Sequence, residues 1–324
     1  MWDTKFTDYN IMNTPYGKDV LKMLSDACKK YDMKLSLYYS NPDWNHKYGY
    51  NPNSSHQWRC AQTDEVDLEK YKDFIKNQIT ELLTNYGEIY TLFWDIPPRV
   101  NDESMNELAR RLQPNILIND RGWSSGDFST PEREYDSPTG DWFTRMTEAC
   151  NSVGQQSWGY RVDEDFYSIR HLTCSIDEIM SKGGSYLLNV GPSAEGEITS
   201  EYAERIQKVG DWFNRMQGCL EEVERDSFDY KSRGNLCTAT KKNGKTYLHF
   251  YKGLISSAVN LENYPSLPKT VKLLNTNKIL NAKIEYLPEF FNADIGKCEV
   301  EYLHITGIPI DELANEPIVL EIEW

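Results

Sequence analysis

The segment from Ile89 to Asp95 constrains the fold of this chain more than any other. It reads Ile-Tyr-Thr-Leu-Phe-Trp-Asp, and Pro97-Pro98 follow almost at once. Such an apolar run with β-branched and aromatic residues predicts a buried strand. The helix-like segment 67–86 precedes it, with Gly87 at a typical C-cap position. This order favours a parallel α/β sheet or barrel, where an acid at the carboxyl end of a strand is a catalytic candidate. Alternatively, the aspartate only caps the next helix.

The first two thirds of the chain alternate helical and strand-like patterns. The predicted helices cover 18–31, 67–86, 104–112, part of 165–182, and 199–216. The predicted strands cover 34–39, 89–95, 116–119 and 185–189, with a short fifth candidate at 157–160. Two long loop regions, 40–64 and 120–157, separate these elements. The alternation predicts an α/β fold of the (β/α)8-like (TIM-type) barrel kind.

The strand count is too low for a closed barrel, which needs eight strands. Residues 2–10 also resemble an active-site loop more than the opening of a domain. Either further strands lie within the loops, or the chain starts inside the barrel. We therefore expect a barrel that is incomplete at its N-terminus.

The pattern changes after about residue 225. Lys242-Asn243-Gly244 separates two strand-like segments and is a strong hairpin signal. The strand-like runs of this part are 236–240, 246–251, 270–274, 282–286, 298–304 and 318–324. We expect residues 1–225 to form the catalytic barrel domain and residues 226–324 a C-terminal antiparallel β-sandwich.

Composition excludes several classes of function. The net charge of −15 disfavours nucleic acid as a partner, because a phosphate backbone requires a basic surface. The sequence contains no run of 18 apolar residues, so it predicts no membrane span. Residues 1–20 lack a signal-peptide pattern. The seven cysteines include no CxxC pair, which disfavours structural zinc and leaves the disulfide state open. Oligomeric state is not readable from this sequence.

Four predicted strand ends bring polar side chains to one rim of the barrel. They supply Tyr38 and Tyr39, then Asp95, then Asn119-Asp120-Arg121, then Asn189, and the loop after Arg121 contains Thr130-Pro-Glu132-Arg-Glu134. Two carboxylates on separate strands of one rim are what a glycosidase requires. A nearby arginine would hold one carboxyl group and tune its pKa. With 50 acidic residues in the chain, position alone is weak evidence.

Six short motifs in a fixed order carry a resemblance. They are Thr4-Lys-Phe-Thr-Asp-Tyr-Asn10, Thr14-Pro-Tyr-Gly-Lys-Asp19, Tyr38-Tyr-Ser40 with Asp43-Trp44, the strand ending at Asp95, Trp158-Gly-Tyr160, and Leu187-Leu-Asn-Val-Gly-Pro192. Over residues 1–220 the chain resembles the α-L-fucosidases of glycoside hydrolase family 29. The resemblance implies a retaining exo-hydrolase that acts on fucosylated glycans or oligosaccharides without a metal or other cofactor. Members of this family often work outside the cytoplasm.

The resemblance also assigns roles to individual residues. Asp95 takes the place of the nucleophile, and Glu132 that of the acid/base, with Glu134 as the alternative. Arg121 takes the family's arginine position near the acid/base, and Tyr38 that of a tyrosine that approaches the sugar. A further set of candidate substrate contacts consists of Trp44, His46, Trp158 and Tyr160. The pair Trp158 and Tyr160 could equally belong to the core.

The sequence departs from the family pattern in two places. Phe93 and Ile96 stand where the family usually has tryptophan and often has glycine, on either side of Trp94-Asp95. The family's His-His motif, which grips fucose hydroxyl groups, has no counterpart, although His46 and His56 lie in the loop after Tyr39. Two alternatives to a fucosidase therefore stay open: an impaired or glycan-binding relative, and a different exo-glycosidase on the same barrel.

Overall fold

A computed structural model describes residues 1–49, 67–98, 100–133, 139–288 and 299–324. The chain divides into two compact units, Met1–Thr130 and Pro131–Trp324. Glu134 and His56, two of the candidate residues, lie outside the described ranges. Within the described ranges, no helix is long and apolar enough to cross a membrane.

The first unit is a small parallel α/β layer. Its elements are a 3-10 turn (Ile11–Asn13), α1 (Val20–Lys30), β1 (Leu35–Ser40), α2 (Leu68–Asn85), β2 (Ile89–Asp95), α3 (Ser104–Leu112) and β3 (Leu117–Ile118). The three strands form one parallel sheet in the order β1-β2-β3. The predicted strand from Ile89 to Asp95 is therefore confirmed.

Local sequence signals explain the bounds of the helix that precedes β2. The side chain of Asp67 accepts a hydrogen bond from the backbone N–H of Lys70 and caps α2. Gly87 adopts a φ of 82°, the left-handed conformation expected just after a helix. One face of α2 packs on the sheet through Phe74, Ile75 and Ile79, all buried. Apolar burial on this face therefore holds the helix behind β1 and β2.

The second unit begins with another parallel pair of strands. Its elements up to residue 220 are β4 (Glu148–Ser152), α4 (Ile169–Ser181), β5 (Ser185–Asn189) and α5 (Ser200–Leu220). Strands β4 and β5 pair in parallel, with Ser152 opposite Asn189 at their carboxyl ends. The predicted strand at 157–160 is wrong, because this segment is irregular, with a bend at Trp158 and Gly159. The strand lies earlier, within the segment predicted as loop.

Antiparallel strands follow α5. They are β6 (Glu224–Arg225), β7 (Lys231–Ser232), β8 (Thr238–Lys242), β9 (Lys245–Phe250), β10 (Ala258–Asn263), β11 (Thr270–Leu273), β12 (Lys278–Ile279), β13 (Asn281–Pro288), β14 (Glu299–Thr306) and β15 (Ile318–Glu323). They form a six-stranded sheet (β12-β11-β15-β9-β8-β6) and a four-stranded sheet (β13-β14-β10-β7). One buried cluster draws Leu248 and Leu320 from the first sheet and Leu261 and Leu303 from the second. The two sheets thus enclose a common core, as in a β-sandwich.

The predicted hairpin is confirmed between β8 and β9. Lys242 pairs with Lys245, so Asn243 and Gly244 form a two-residue loop. Their φ angles are 52° and 77°, and a type I′ turn requires both to be positive. Asn and Gly are the residues that adopt this conformation most readily.

A buried polar cluster ties α4 to this hairpin. Nδ1 of His249 on β9 lies 3.0 Å from Oδ1 of Asp177 on α4, and both side chains have no exposed surface. Nε2 of His249 lies 3.0 Å from the hydroxyl oxygen of Thr240 on β8, which donates to the carbonyl of Cys219.

The described cysteines Cys28, Cys150, Cys174, Cys219 and Cys237 are all free thiols. Burial raises the pKa of the Cys174 thiol to about 12, and the pKa of Cys237 likewise. These groups stay protonated at neutral pH, so they behave as small apolar side chains.

Candidate active site

Asp95 lies at the carboxyl end of β2, opposite Ser40 on β1. Its two carboxylate oxygens contact different partners. Oη of Tyr38 donates to Oδ2 at 2.6 Å, and Nη1 of Arg121 donates to Oδ1 at 3.1 Å. These two hydrogen bonds brace the carboxylate of Asp95. Its side chain is 23% exposed, so it can still be reached from solvent.

The backbone around Asp95 is fixed by a neighbouring loop. The backbone N–H and the side-chain amide of Asn41 both donate to the carbonyl of Asp95, at 3.0 and 2.8 Å. Ile96 then adopts a φ of 55°. A β-branched residue is strained in this left-handed conformation, which glycine adopts freely. The turn therefore explains why glycine suits the position after the acid.

Phe93 supports both partners of Asp95 from the same face of the sheet. Its ring stacks on that of Tyr38, with centroids 5.8 Å apart, and the Arg121 guanidinium lies 5.5 Å from its centroid. The alternation along β2 places Phe93 and Asp95 on one face, with Trp94 fully buried on the other. Phe93 thus takes part in the site at the position where the sequence departs from the family pattern.

A cleft of about 730 Å³ opens beside Asp95. It is lined by Trp2, Tyr9, Tyr38, Tyr39, Ser40, Pro42, Asp43, Trp44, Asn45, Gln78 and Ile96. Trp44 is 60% exposed. Aromatic rings beside polar groups suit a sugar, whose C–H faces stack on rings while its hydroxyl groups form hydrogen bonds. Trp2 and Tyr9 are cleft residues that no sequence motif singled out individually.

His46 occupies a different environment from Trp44. Its ring stacks on Phe74 of α2 with centroids 4.1 Å apart, and it also contacts Tyr71. Burial lowers the pKa of His46, and the charge of Asp43 opposes this effect. The substrate contact predicted for His46 stays a prediction.

Glu132 belongs to the second unit, where a parallel bridge pairs it with Cys150 of β4. Its side chain is exposed. The next residue, Arg133, has a φ of 59°, and its backbone N–H donates to the carbonyl of Cys150 at 3.1 Å. Its guanidinium lies 4.5 Å from the ring centroid of Trp158 and donates to the hydroxyl of Ser152 at 2.9 Å. The segment of Glu132 is therefore anchored along β4.

Trp158 and Tyr160 lie in an irregular segment and are 38% and 42% exposed, so neither belongs to the core. The side-chain amide of Asn189 donates to the carbonyl of Trp158 at 2.6 Å. Trp158 is thereby attached to the carboxyl end of β5. The two rings are accessible, which a pocket-lining role requires.

Glu148 is a carboxyl group that the sequence did not point to. Burial raises its pKa, a property expected of a general acid. It is the first residue of β4, however, and chemistry in barrels concentrates at the opposite, carboxyl ends of strands. Position thus disfavours Glu148, and its raised pKa makes it a useful comparison for Glu132.

The described residues of this site do not form a metal-binding cluster. In the parts of the chain that the structure describes, no group of three or more His, Cys, Asp and Glu side chains could hold a metal ion. What the site offers is a braced carboxylate, an arginine, and exposed aromatic rings beside a cleft.

Comparison with known proteins identifies the family. The sequence model described as Alpha-L-fucosidase matches residues 1–217. Plasma alpha-L-fucosidase of Homo sapiens is 25% identical over 230 residues, which cover 65% of this chain and 47% of that protein. The chain thus spans about half the length of this curated relative.

Solved structures agree with this assignment. Alpha-L-fucosidase isoenzyme 1 from Paenibacillus thiaminolyticus superposes with a TM-score of 0.74 and 27% identity, covering 99% of this chain and 79% of that one. A GH29 alpha-L-fucosidase from Bacteroides thetaiotaomicron, solved as a trapped covalent intermediate, gives a TM-score of 0.73 and 21% identity, covering 99% and 75%. The family model, which matches more than half of the chain, shows that the chain belongs to the α-L-fucosidase family.

Proposed function

We propose that this protein is a retaining exo-glycoside hydrolase that releases L-fucose from fucosylated glycans or oligosaccharides. The observation that carries the proposal is the braced carboxylate of Asp95 at a strand end, beside an aromatic cleft. Family membership supports it. The covalent intermediate trapped in the Bacteroides relative supports a double displacement.

In the first step, a carboxylate oxygen of Asp95 attacks the anomeric carbon and forms a glycosyl ester. The glycosidic C–O bond breaks, and Glu132 as general acid donates its proton to the departing oxygen. Tyr38 and Arg121 hold the nucleophile in position. Trp44, Trp158 and Tyr160 are proposed to contact the substrate.

In the second step, water attacks the anomeric carbon and the ester bond to Asp95 breaks. Glu132 now acts as general base and removes a proton from that water. The carboxylate of Asp95 departs with its negative charge restored beside Arg121. Two inversions at one carbon retain the anomeric configuration. This mechanism needs the two carboxyl groups about 5–5.5 Å apart.

We also propose that residues 1–225 form a TIM-type barrel domain and residues 226–324 a sandwich domain. The parallel pairs β1-β2-β3 and β4-β5, each joined by helices, support the first part. The core shared by the two antiparallel sheets supports the second.

The proposal is tested by release of 4-nitrophenol from 4-nitrophenyl α-L-fucoside. We expect turnover by the wild-type chain and a loss of at least roughly 1,000-fold in Asp95→Ala, because the variant has no nucleophile. Asp26→Asn, which changes an exposed aspartate on α1, should retain full activity. ¹H NMR of the first product should show the α-anomer.

Turnover that survives in Asp95→Ala would overturn the assignment of the nucleophile. No turnover by any form, with fucosylated oligosaccharide still bound in calorimetry, would favour a glycan-binding relative instead. Added azide separates the acid/base candidates, since this anion attacks the anomeric carbon of the glycosyl ester in place of water and needs no general base. Rescue is expected for Glu132→Ala, and not for Glu134→Ala or Glu148→Ala.

A further inference from the structure

We propose that Thr130 is a positioning residue that orients Arg121 against Asp95. The inference rests on the proposed function for its catalytic consequence, and on the geometry of the first unit for the contact itself. Neither the composition of the chain nor its motifs point to Thr130 in this role.

Arg121 is held along one edge by Thr130 and contacts Asp95 at another. Its Nε donates to the hydroxyl oxygen of Thr130 at 2.9 Å and lies 3.2 Å from the carbonyl oxygen of the same residue. Its Nη2 donates to that carbonyl at 2.5 Å, and Nη1 donates to Oδ1 of Asp95 at 3.1 Å. A guanidinium is planar and rigid, so fixing one edge sets the direction of the remaining N–H groups.

Thr130 is itself held so that its hydroxyl group points one way. The side chain is buried, and both its backbone N–H and its hydroxyl donate to Oδ1 of Asp120 at 3.2 Å. Because the hydroxyl proton is used in this bond, a lone pair of the oxygen is left for Nε of Arg121. Asp120, Thr130, Arg121 and Asp95 thus form one chain of hydrogen bonds.

The direction of the guanidinium matters because the charge on Asp95 changes during the reaction. Forming the glycosyl ester removes the negative charge, and breaking the ester restores it. A cation fixed beside Oδ1 stabilises the carboxylate as it departs. Arg121 is only 16% exposed, so solvent screens the interaction weakly. Thr130 therefore acts on turnover without touching the substrate.

The structure offers a closely matched pair of variants. The carbonyl bonds of residue 130 persist with any side chain, so only the hydroxyl contact depends on threonine. Thr130→Val keeps the shape and removes the hydroxyl, whereas Thr130→Ser keeps the hydroxyl. We expect Thr130→Val to lower kcat by roughly 10- to 100-fold with KM within about twofold, and Thr130→Ser to restore most of it.

A double-mutant cycle tests whether Thr130 acts through Arg121. In an Arg121→Met background, Thr130→Val should have no further effect on kcat, because the group it orients is gone. An equal loss in both backgrounds would overturn the proposal, and so would a Thr130→Ser variant as impaired as Thr130→Val. Thermal midpoints show whether the variants fold.

An NMR measurement keeps the test independent of activity. The Nε–H signal of Arg121, assigned by its absence in Arg121→Met, should exchange slowly with solvent in the wild type and Thr130→Ser. It should exchange faster and shift in Thr130→Val. An unchanged signal in Thr130→Val would overturn the positioning role. If the three proteins show these exchange rates but the wild type hydrolyses no fucoside, the proposed function is wrong. The positioning of Arg121 by Thr130 is then still supported.

Discussion

The hydroxyl group of Tyr38 donates a 2.6 Å hydrogen bond to Asp95 on the neighbouring strand, two residues beyond Phe93, its own register partner. Tyr38 is 61% exposed because the strand turns every second side chain to this face. Buried Leu37 and Tyr39 on the other face fix the strand. The packed core thus determines where the hydroxyl group lies.

Removing this hydroxyl should impair the nucleophile without disturbing the fold. In Tyr38→Phe the ring still stacks on Phe93, and Asp95 loses a charge-assisted hydrogen bond. We expect kcat/KM on 4-nitrophenyl α-L-fucoside to fall by roughly 10- to 100-fold. Tyr90→Phe, which alters a ring on β2 held by Lys34, is the control and should keep activity. Equal losses in both variants would contradict a specific role for Tyr38.

Strain at Ile96 should be relieved by glycine. Its φ of 55° costs a β-branched residue on the order of 1–2 kcal/mol, while glycine in the unfolded chain offsets roughly 0.5–1 kcal/mol of the gain. We expect Ile96→Gly to raise the free energy of unfolding modestly in urea titrations. Ile96→Ala keeps the left-handed φ and serves as the comparison. Both variants lack the isoleucine side chain, so a glycine variant less stable than the alanine variant would contradict the strain at this position.

Removing one partner of the buried pair Asp177–His249 should lower the free energy of unfolding strongly, whereas replacing both partners should lower it much less. Asp177→Leu leaves the ring of His249 buried without its carboxylate, and we expect a loss of about 3–5 kcal/mol in unfolding free energy. Asp177→Leu combined with His249→Phe removes both polar groups and should recover much of this loss. Equilibrium urea unfolding of the three proteins measures both effects. A double variant as unstable as the single one would contradict the expectation.

Asp102 should make stability depend on pH in the acid range. Burial alone would raise its pKa, but hydrogen bonds from Lys72 and from Ser104 lower it to about 2. A carboxyl group with a lowered folded pKa stabilises above its unfolded value of 3.8, and loses that contribution as pH falls toward about 2.

We therefore expect Asp102→Asn to cost about 1–2 kcal/mol at pH 6, where the carboxylate still pairs with Lys72. The difference from the wild type should shrink between pH 4 and pH 2. Thermal unfolding at several pH values measures it. A difference that does not change with pH would show that the cap at Ser104, not the charge, carries the effect.

Sequence patterns predicted the elements that depend on local signals. The strand ending at Asp95, the helix capped by Asp67 and the Asn243-Gly244 hairpin were all readable, because each has strong propensity or turn chemistry. The suggestion that Asp95 only caps a helix was wrong, since Asp102 accepts from the N–H at the start of α3.

Elements that depend on tertiary contacts were not readable. Strand β4 reads Glu-Ala-Cys-Asn-Ser, which has low strand propensity, and it is a strand because it pairs with β5. The aromatic residues at 157–160 suggested a strand, but this segment is an irregular bend that accepts a hydrogen bond from Asn189. In the site, Asp95, Tyr38 and Arg121 were predicted from motifs. The contact of Arg121 with Thr130 depends on how a loop folds back, which no spacing rule predicts.

Because the buried thiols have raised pKa values, their rates of chemical labelling report local opening of the structure around them. Thiolates attack alkylating reagents, and Cys174 on α4 and Cys237 before β8 become thiolates readily only when their surroundings open. The rate at which iodoacetamide labels each cysteine would therefore measure how often that part of the chain opens. Mass spectrometry of the labelled peptides would yield a map of local opening free energies without any engineered probe.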